Sequence, residues 1–509
     1  MITRPRTAAA APAVIVAVLA FSLAGCKLGP NFFSPAPPKV RGYTGPGETN
    51  LPDAASAKHA QQRLALGAKV ESDWWTVFHS AELDRVMKEA LAGSPTIAQA
   101  QAALVEAQEQ VAATAGQLLP QVDISAGVAR QQVNVAVTGN SRPPIPVNVF
   151  QIGPTVSYPL DVFGGLKRQV EAAQASADVS QYQLAAAYLS LTGNVAMQAI
   201  TIASIRAQIA TVEKIIADDE KNLNLVKTAQ QAGIENIVDV TSAASQLAND
   251  RTLLAPLEQQ LSVARHALAV YLGKSPAEFA APDFDLADLA VPDTLPVSLP
   301  SALVRQRPDI LAAEAQLHLA IADIGVATAN LYPSITLTAS MAQQATSLSN
   351  FFSGVYTAFA IGPQLTAPIF HGGSLKARQR AAYATFDAAF ATYRQTVVQA
   401  FGQVADSLQA LKHDDEDVAA QAAAVKTATQ SLSLARTSFQ EGNSTVLQVL
   451  DAERQADRAA TGFVQARARR VLDTAQLFVA LGSGWWNTPP TPPPATPSPN
   501  VPPPLLIEK

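Results

Sequence analysis

The chain is written twice, and this repetition limits its fold more than any other feature. Ile152-Gly153-Pro154 returns 209 residues later as Ile361-Gly362-Pro363. At the same spacing Pro159 returns as Pro368, Gly193 as Gly402, Gly233 as Gly442, and Leu272-Gly273 as Leu481-Gly482. Upstream the spacing is 213, with Pro95 returning as Pro308, Leu104 as Leu317 and Pro120 as Pro333. A tandem unit of about 210 residues is far longer than any solenoid repeat.

Both copies share one internal order. A first helix runs from about Pro95 to Leu118, rich in Ala, Gln and Glu, and Pro120 stops it. Two alternating segments follow, then a helix from about Leu166 to Ala232, a break at Gly233, and a return to Leu272-Gly273. The second copy starts at Pro308, stops at Pro333, resumes near Leu375, turns at Gly442 and ends at Gly482. A helix of about 65 residues reaches roughly 100 Å. Such helices must lie side by side as coiled-coil hairpins, with alanine permitting close approach. Pro256 falls inside the first returning helix and predicts a kink or local unwinding there.

The alternating segments carry the membrane signal. Phe150, Ile152, Val156, Tyr158 and Leu160 share one face, against Gln151, Gly153, Thr155 and Ser157. Ile335, Leu337, Ala339 and Met341 alternate with Thr336, Thr338 and Ser340. Val355, Phe359, Ile361 and Leu365 oppose Ala360, Gly362, Gln364 and Thr366. A period of two fits half-buried strands, and segments of about ten residues fit a barrel with lipid outside and water inside. A soluble sheet packed on the helices has the same period. Aromatics near the segment ends (Phe150, Tyr158, Phe351, Phe352, Tyr356) favour interfacial girdles. Pro154 and Pro363 imply local bends.

Two strands per copy give four per chain. Four strands cannot close, and lipid does not tolerate open edges, so copies of the chain must assemble. Eight strands enclose only side chains, whereas twelve leave room for a channel. The loops Val137 to Val147 and Thr346 to Gly354 then face outside, and the long helices continue the tube into the periplasm.

At the N-terminus, Arg4 and Arg6 precede an apolar stretch from Ala8 to Leu23 that ends in Leu23-Ala24-Gly25-Cys26. This order reads as a secretory signal peptide. Cysteine directly after Leu-Ala-Gly resembles the bacterial lipobox, which implies acylation of Cys26, the only cysteine in the chain. By the same resemblance, Lys27 in the next position favours sorting to the outer membrane. Beyond the signal no run of about 18 uninterrupted apolar residues offers a transmembrane helix. The expected divisions are a signal peptide (1–25), an acylated N-terminal and collar segment (26–94), a first repeat (95–273), a linker (274–300), a second repeat (301–487) and a Pro-rich disordered tail (488–509).

Catalytic, nucleotide-binding and metal motifs (HExxH, GxSxG, Walker A, CxxC) are missing, and six histidines are scattered without ligand spacing. The chain reads as no enzyme, with no cofactor beyond the lipid on Cys26. A net charge of −5 without a basic cluster argues against nucleic acid. The run His413-Asp414-Asp415-Glu416-Asp417 spreads around a helix rather than converging, and reads as a solvated or collar-facing patch. Arg305, Arg307 and Asp309 read as an ion network at a helix start, and Trp74 and Trp75 as packing residues.

Several motifs in order carry a family resemblance. They are Cys26-Lys27-Leu28-Gly29-Pro30-Asn31-Phe32, Trp74-Trp75 with Phe78 and Leu83-Asp84, and Leu160-Asp161-Val162-Phe163-Gly164-Gly165. Arg305-Gln306-Arg307-Pro308-Asp309-Ile310 with Ala313-Glu314, and Leu450-Asp451-Ala452-Glu453-Arg454, complete the set. The chain resembles the TolC-type outer membrane efflux proteins, in the NodT/OprM-like lipoprotein branch. It departs from them at Tyr158-Pro159, where Trp-Glu is usual, and in its longer proline tail.

The resemblance implies a mainly α protein with a transmembrane β-barrel: a homotrimer with twelve strands and a twelve-helix periplasmic tunnel. It implies a passive exit duct for drugs or other toxic small molecules, served by a periplasmic adaptor and an inner-membrane resistance-nodulation-division (RND) pump. A type I secretion duct shares this architecture, and a periplasmic coiled-coil lipoprotein is the reading from another class. The hairpin tips at Gly233, Gly442, Asn443 and Ser444 become the adaptor and pump contacts. Past the second tip, Leu447, Asp451, Arg454 and Arg458 form one helical stripe, whose first-repeat equivalents Val238, Ser242, Ser245 and Asn249 are uncharged. By resemblance, Leu447, Asp451 and Arg454 match the residues that close the periplasmic entrance.

Overall fold

A computed structural model describes residues 27–40, 42–45, 62–68, 70–133, 145–347, 349, 351 and 357–482. Cys26 and the signal peptide, most of the two outer loops, Phe352, Tyr356 and the proline tail lie outside the described residues. The elements in order are β1 (Arg63–Leu66), a 3-10 turn (Trp74–Phe78), α1 (Ala81–Gly93), α2 (Pro95–Gly116), β2 (Gln121–Val133), β3 (Ile145–Leu160), α3 (Gly165–Gln231), α4 (Ile237–Arg251) and α5 (Leu254–Tyr271). The second half continues with β4 (Thr294–Val297), α6 (Pro300–Leu303), α7 (Pro308–Ala329), β5 (Ser334–Ala345), β6 (Thr357–Thr366), α8 (Ser374–Gln440) and α9 (Val446–Ala480). By packing, these fall into two units, neither of which follows the repeats. Among the described residues, one takes Lys27–Pro35 with those of Ala103–Ser180 and Ala312–Tyr393, and the other takes the remainder.

The first unit holds an antiparallel sheet in the order β2-β3-β5-β6. Its register aligns the alternating residues across all four strands. Val122 stands opposite Val156, Val156 opposite Ala339, and Ala339 opposite Ile361. One face is therefore apolar from edge to edge, and it is uncovered: Ile124 is 75% exposed, Val128 70%, Phe359 80% and Ile361 73%. The other face carries Asp123, Ser125, Thr155, Ser157, Thr336, Thr338 and Gln364. Pro154 sits on an inner strand, and pairing of β3 with β5 lapses at Gly153 and Pro154 without a change of register. Gly153 is required there, because a Cβ would lie 1.8 Å from the Met341 carbonyl oxygen. Pro363 sits on β6, at the edge of the sheet within one chain.

The second unit is helical, with a two-stranded parallel sheet of β1 and β4. Trp74 is buried and stacks on Phe478 at 5.4 Å, while the Trp75 indole donates to Asp84 at 3.2 Å. Both tryptophans pack, as expected. The first returning helix is broken between α4 and α5. Thr252 and Leu253 bond three residues back, to Asn249 and Asp250, just where the Pro256 ring excludes the Thr252 carbonyl from a helical bond. Its second-repeat counterpart, α9, has no proline and runs unbroken for 35 residues.

The helices α3 and α7 carry 18-residue windows of mean hydropathy 1.3 and 1.4, apolar enough to cross a membrane by composition. Neither helix holds about 18 uninterrupted apolar residues. Half of each window is buried inside the structure.

Candidate functional site

The two tips are built alike. Gly233 and Gly442 take left-handed φ of 74° and 75°. The next residue bonds five back, Ile234 to Ala229 at 2.9 Å and Asn443 to Ser438 at 2.8 Å, satisfying the last helical carbonyls. They differ in how the chain re-enters the helix. Asn236 caps α4 in a reciprocal box with Asp239, whereas Thr445 caps α9 without a side-chain bond.

Beyond the second tip, α9 is two-faced. Val446, Val449, Leu450, Ala452 and Glu453 are buried, and Val446 and Leu450 join Leu223, Val226, Ala243 and Leu247 in one apolar cluster. The other face presents the stripe, with Leu447 50% exposed. Arg454 lies 3.5 Å from Asp451, and Gln455 donates to the second Asp451 oxygen at 2.9 Å. Within one chain this is an open i, i+3 ion pair worth a few tenths of a kcal/mol. The equivalents Val238, Ser245 and Asn249 are likewise exposed.

Arg307 and Asp309 form the network expected at the start of α7. Arg307 is buried; it donates to both Asp309 oxygens (3.0 and 2.6 Å), to the Ala480 carbonyl (2.7 Å) and to Gln403 (2.8 Å). The acidic run at 413–417 reads in the sequence as a solvated or collar-facing patch, and in the structure it has an exposed part, His413 and Glu416, and an inward part. Asp414 is 5% exposed, Asp415 pairs with Arg470 at 3.0 Å, and Asp417 pairs with Arg469 at 3.2 Å. The basic pair on α9 holds Asp415 and Asp417, while Asp414 is buried beside Asp473.

Sequence reasoning missed Arg168. One turn into α3 and 1% exposed, it donates to the Leu28 carbonyl (3.1 Å), the Gly29 carbonyl (3.3 Å) and Asn31 (2.8 Å). Glu171 beside it takes Lys27 at 3.1 Å and faces His318 at 3.2 Å, and the His318 ring stacks on Phe32 at 4.4 Å. The segment directly after Cys26 is thus fastened beside the ends of the strands. One arginine among the scattered charges of a long helix gives no sign of this in the sequence.

A family model described as outer membrane efflux protein matches residues 86–274 and 299–483, one match in each repeat. The chain belongs to the outer membrane efflux protein family. The pyoverdine export outer membrane protein OpmQ of Pseudomonas aeruginosa is 32% identical over 448 residues, covering 86% of this chain and 94% of the relative. The toluene efflux pump outer membrane protein TtgC of Pseudomonas putida is 29% identical over 480 residues, covering 93% and 95%. The solved outer-membrane channel OprN matches with a TM-score of 0.81 at 25% identity, over 90% of this chain and 100% of that one. As an outer membrane efflux protein, the chain shares the architecture of these channels: long helices that build a tunnel, and strands that build the membrane part.

Proposed function

We propose that this outer membrane efflux protein works as a lipid-anchored homotrimer, the passive exit duct of a tripartite RND-type system. In this reading an adaptor and an inner-membrane pump open it at the periplasmic tips, and the duct performs no catalysis. The observation that carries the reading is the sheet: an uncovered apolar face running unbroken across four strands whose outer two have free edges. Lipid rewards that face and forbids those edges, so the sheet is finished by further copies. Three copies give twelve strands, with the hydroxyl- and amide-bearing face lining a water-filled lumen. Acylated Cys26 supplies the anchor, and Arg168 holds the chain that follows it. The exported class is small toxic molecules; the energy belongs to the inner-membrane pump.

The duplication predicts how copies meet. Within the chain, the second strand of repeat one pairs with the first strand of repeat two, Val156 opposite Ala339. Shifting these positions by the repeat spacings pairs β6 with β2 of the next copy, Leu365 opposite Ala126. Residues directly opposite have Cβ atoms about 5 Å apart, close to disulfide range. Leu365→Cys with Ala126→Cys is expected to give disulfide-linked oligomers on denaturing gels. Pairing Leu365→Cys with Val122→Cys, about 13 Å out of register, is expected to give none. A detergent-extracted monomer with neither crosslink overturns the reading.

A further inference from the structure

The buried face of α9, behind the stripe of Leu447, Asp451 and Arg454, holds a second group of carboxyls that the duct reading does not use. On α3, Asp219 is 3% exposed and one of its oxygens has no hydrogen-bond partner. It faces Asp250 on α4 and lies close to Glu453 and Asp457 on α9. Asp457 also carries a buried oxygen without a partner. Glu453, 3% exposed, is satisfied by Arg436 of α8 at 2.7 Å and by the Asn222 amide. Asp250 accepts from Gln246 of its own helix, at 2.5 Å. Next to Asp219 in the chain, Asp218 pairs with Lys221 and Glu220 with Arg251, both pairs being exposed. Four acids thus meet one guanidinium in a packed interface.

An ionised carboxylate in that position has an oxygen with nothing to receive, and its neighbours repel it. A proton removes both faults, because a protonated Asp219 donates to Asp250 and one proton serves two carboxyls. We propose that Asp219 and Asp457, set against Asp250, form a proton-binding latch that fastens α9 to α3 and α4, holding the tip closed when Asp219 and Asp457 are protonated and loosening it when they are ionised. The proposal rests on the reading of Asp451 and Arg454 as the gate on the same helix.

Burial, with Asp250 beside it, pushes Asp219 up to about 8, and burial with Glu453 beside it pushes Asp457 up to about 7. Raised carboxyl values mean that the packed state binds the proton which the opened state releases. The latch therefore stabilises fully below the ordinary carboxylate range, and its contribution is gone once pH has risen through about 7 to 8.

The test uses the full-length acylated protein, with thermal melting in detergent and single-channel recording in planar bilayers, both against periplasmic-side pH. The wild type is expected to melt lower and open more often as pH climbs through that window. Asp219→Asn with Asp457→Asn, in which amides mimic the protonated acids, is expected to lose both slopes and stay closed. An unchanged melting slope in this variant overturns proton binding; a lost melting slope with unchanged pH-dependence of opening overturns the latch. Asp451→Ala with Arg454→Ala separates the two readings. If it leaves conductance at the wild-type level, the gate assignment fails, whereas the melting slopes still report on the proton site.

Discussion

Replacing Arg307 by alanine tests the interior of the helical unit with a magnitude that the geometry sets. The guanidinium spends its donors on Asp309, the Ala480 carbonyl and Gln403, and its side chain is 8% exposed. Removing it strands a carbonyl at the end of α9 and an amide oxygen on α8, on top of an ion pair. Loss of one partner from a fully buried pair costs about 3–5 kcal/mol. Asp309 is 42% exposed and recovers water, so the lower end, about 3 kcal/mol, is expected. Arg307→Lys keeps the charge but not the fork, and should recover about half. Arg85→Ala is the internal control: its pair with Glu82 is 54% and 55% exposed, and the expected loss is under about 0.5 kcal/mol. The assay is the denaturant midpoint of detergent-purified protein. A loss for Arg307→Ala no larger than that for Arg85→Ala refutes the reasoning.

Two glycines separate folding from assembly. Gly153→Ala drives a Cβ into the Met341 carbonyl and should abolish the folded membrane form, read as loss of heat-modifiable protein in the outer membrane. At its repeat counterpart Gly362 an added Cβ would meet no described atom of the same chain within 4 Å, yet the repeated register places a neighbouring strand there; Gly362→Ala should yield folded chains that fail to assemble. Wild-type assembly of Gly362→Ala contradicts the proposed register. Gly442→Ala, at φ 75°, should weaken the second tip by about 1–2 kcal/mol in hydrogen-exchange protection, and Gly442→Asn by less.

Much of this fold was legible because it depends on period and punctuation. Alternation along β3, β5 and β6 gave the two faces of the sheet, and Gly233, Gly442, Pro120 and Pro333 marked where helices stop. The small β1–β4 sheet was not legible. Its strands are four residues each, too short for a period, and one contains Pro296. Buried acids were hidden for a different reason. Asp218-Asp219-Glu220 and Asp414-Asp415-Glu416 look like solvated helix faces, and only the packing of neighbouring helices shows which member turns inward. The stripe at Leu447, Asp451 and Arg454 was visible as an asymmetry between repeats. The structure places it on an exposed face, and the closure role proposed for it requires copies of the chain to meet there.

The central claim is that three copies enclose a water-filled duct shut at its periplasmic end. Planar-bilayer recording of the purified acylated protein tests it most directly. Below the pH window of the carboxyl latch, the account predicts a small, stable conductance for the wild type and a larger one for Asp451→Ala with Arg454→Ala. No conductance from either protein, in preparations whose oligomers survive extraction, contradicts the account.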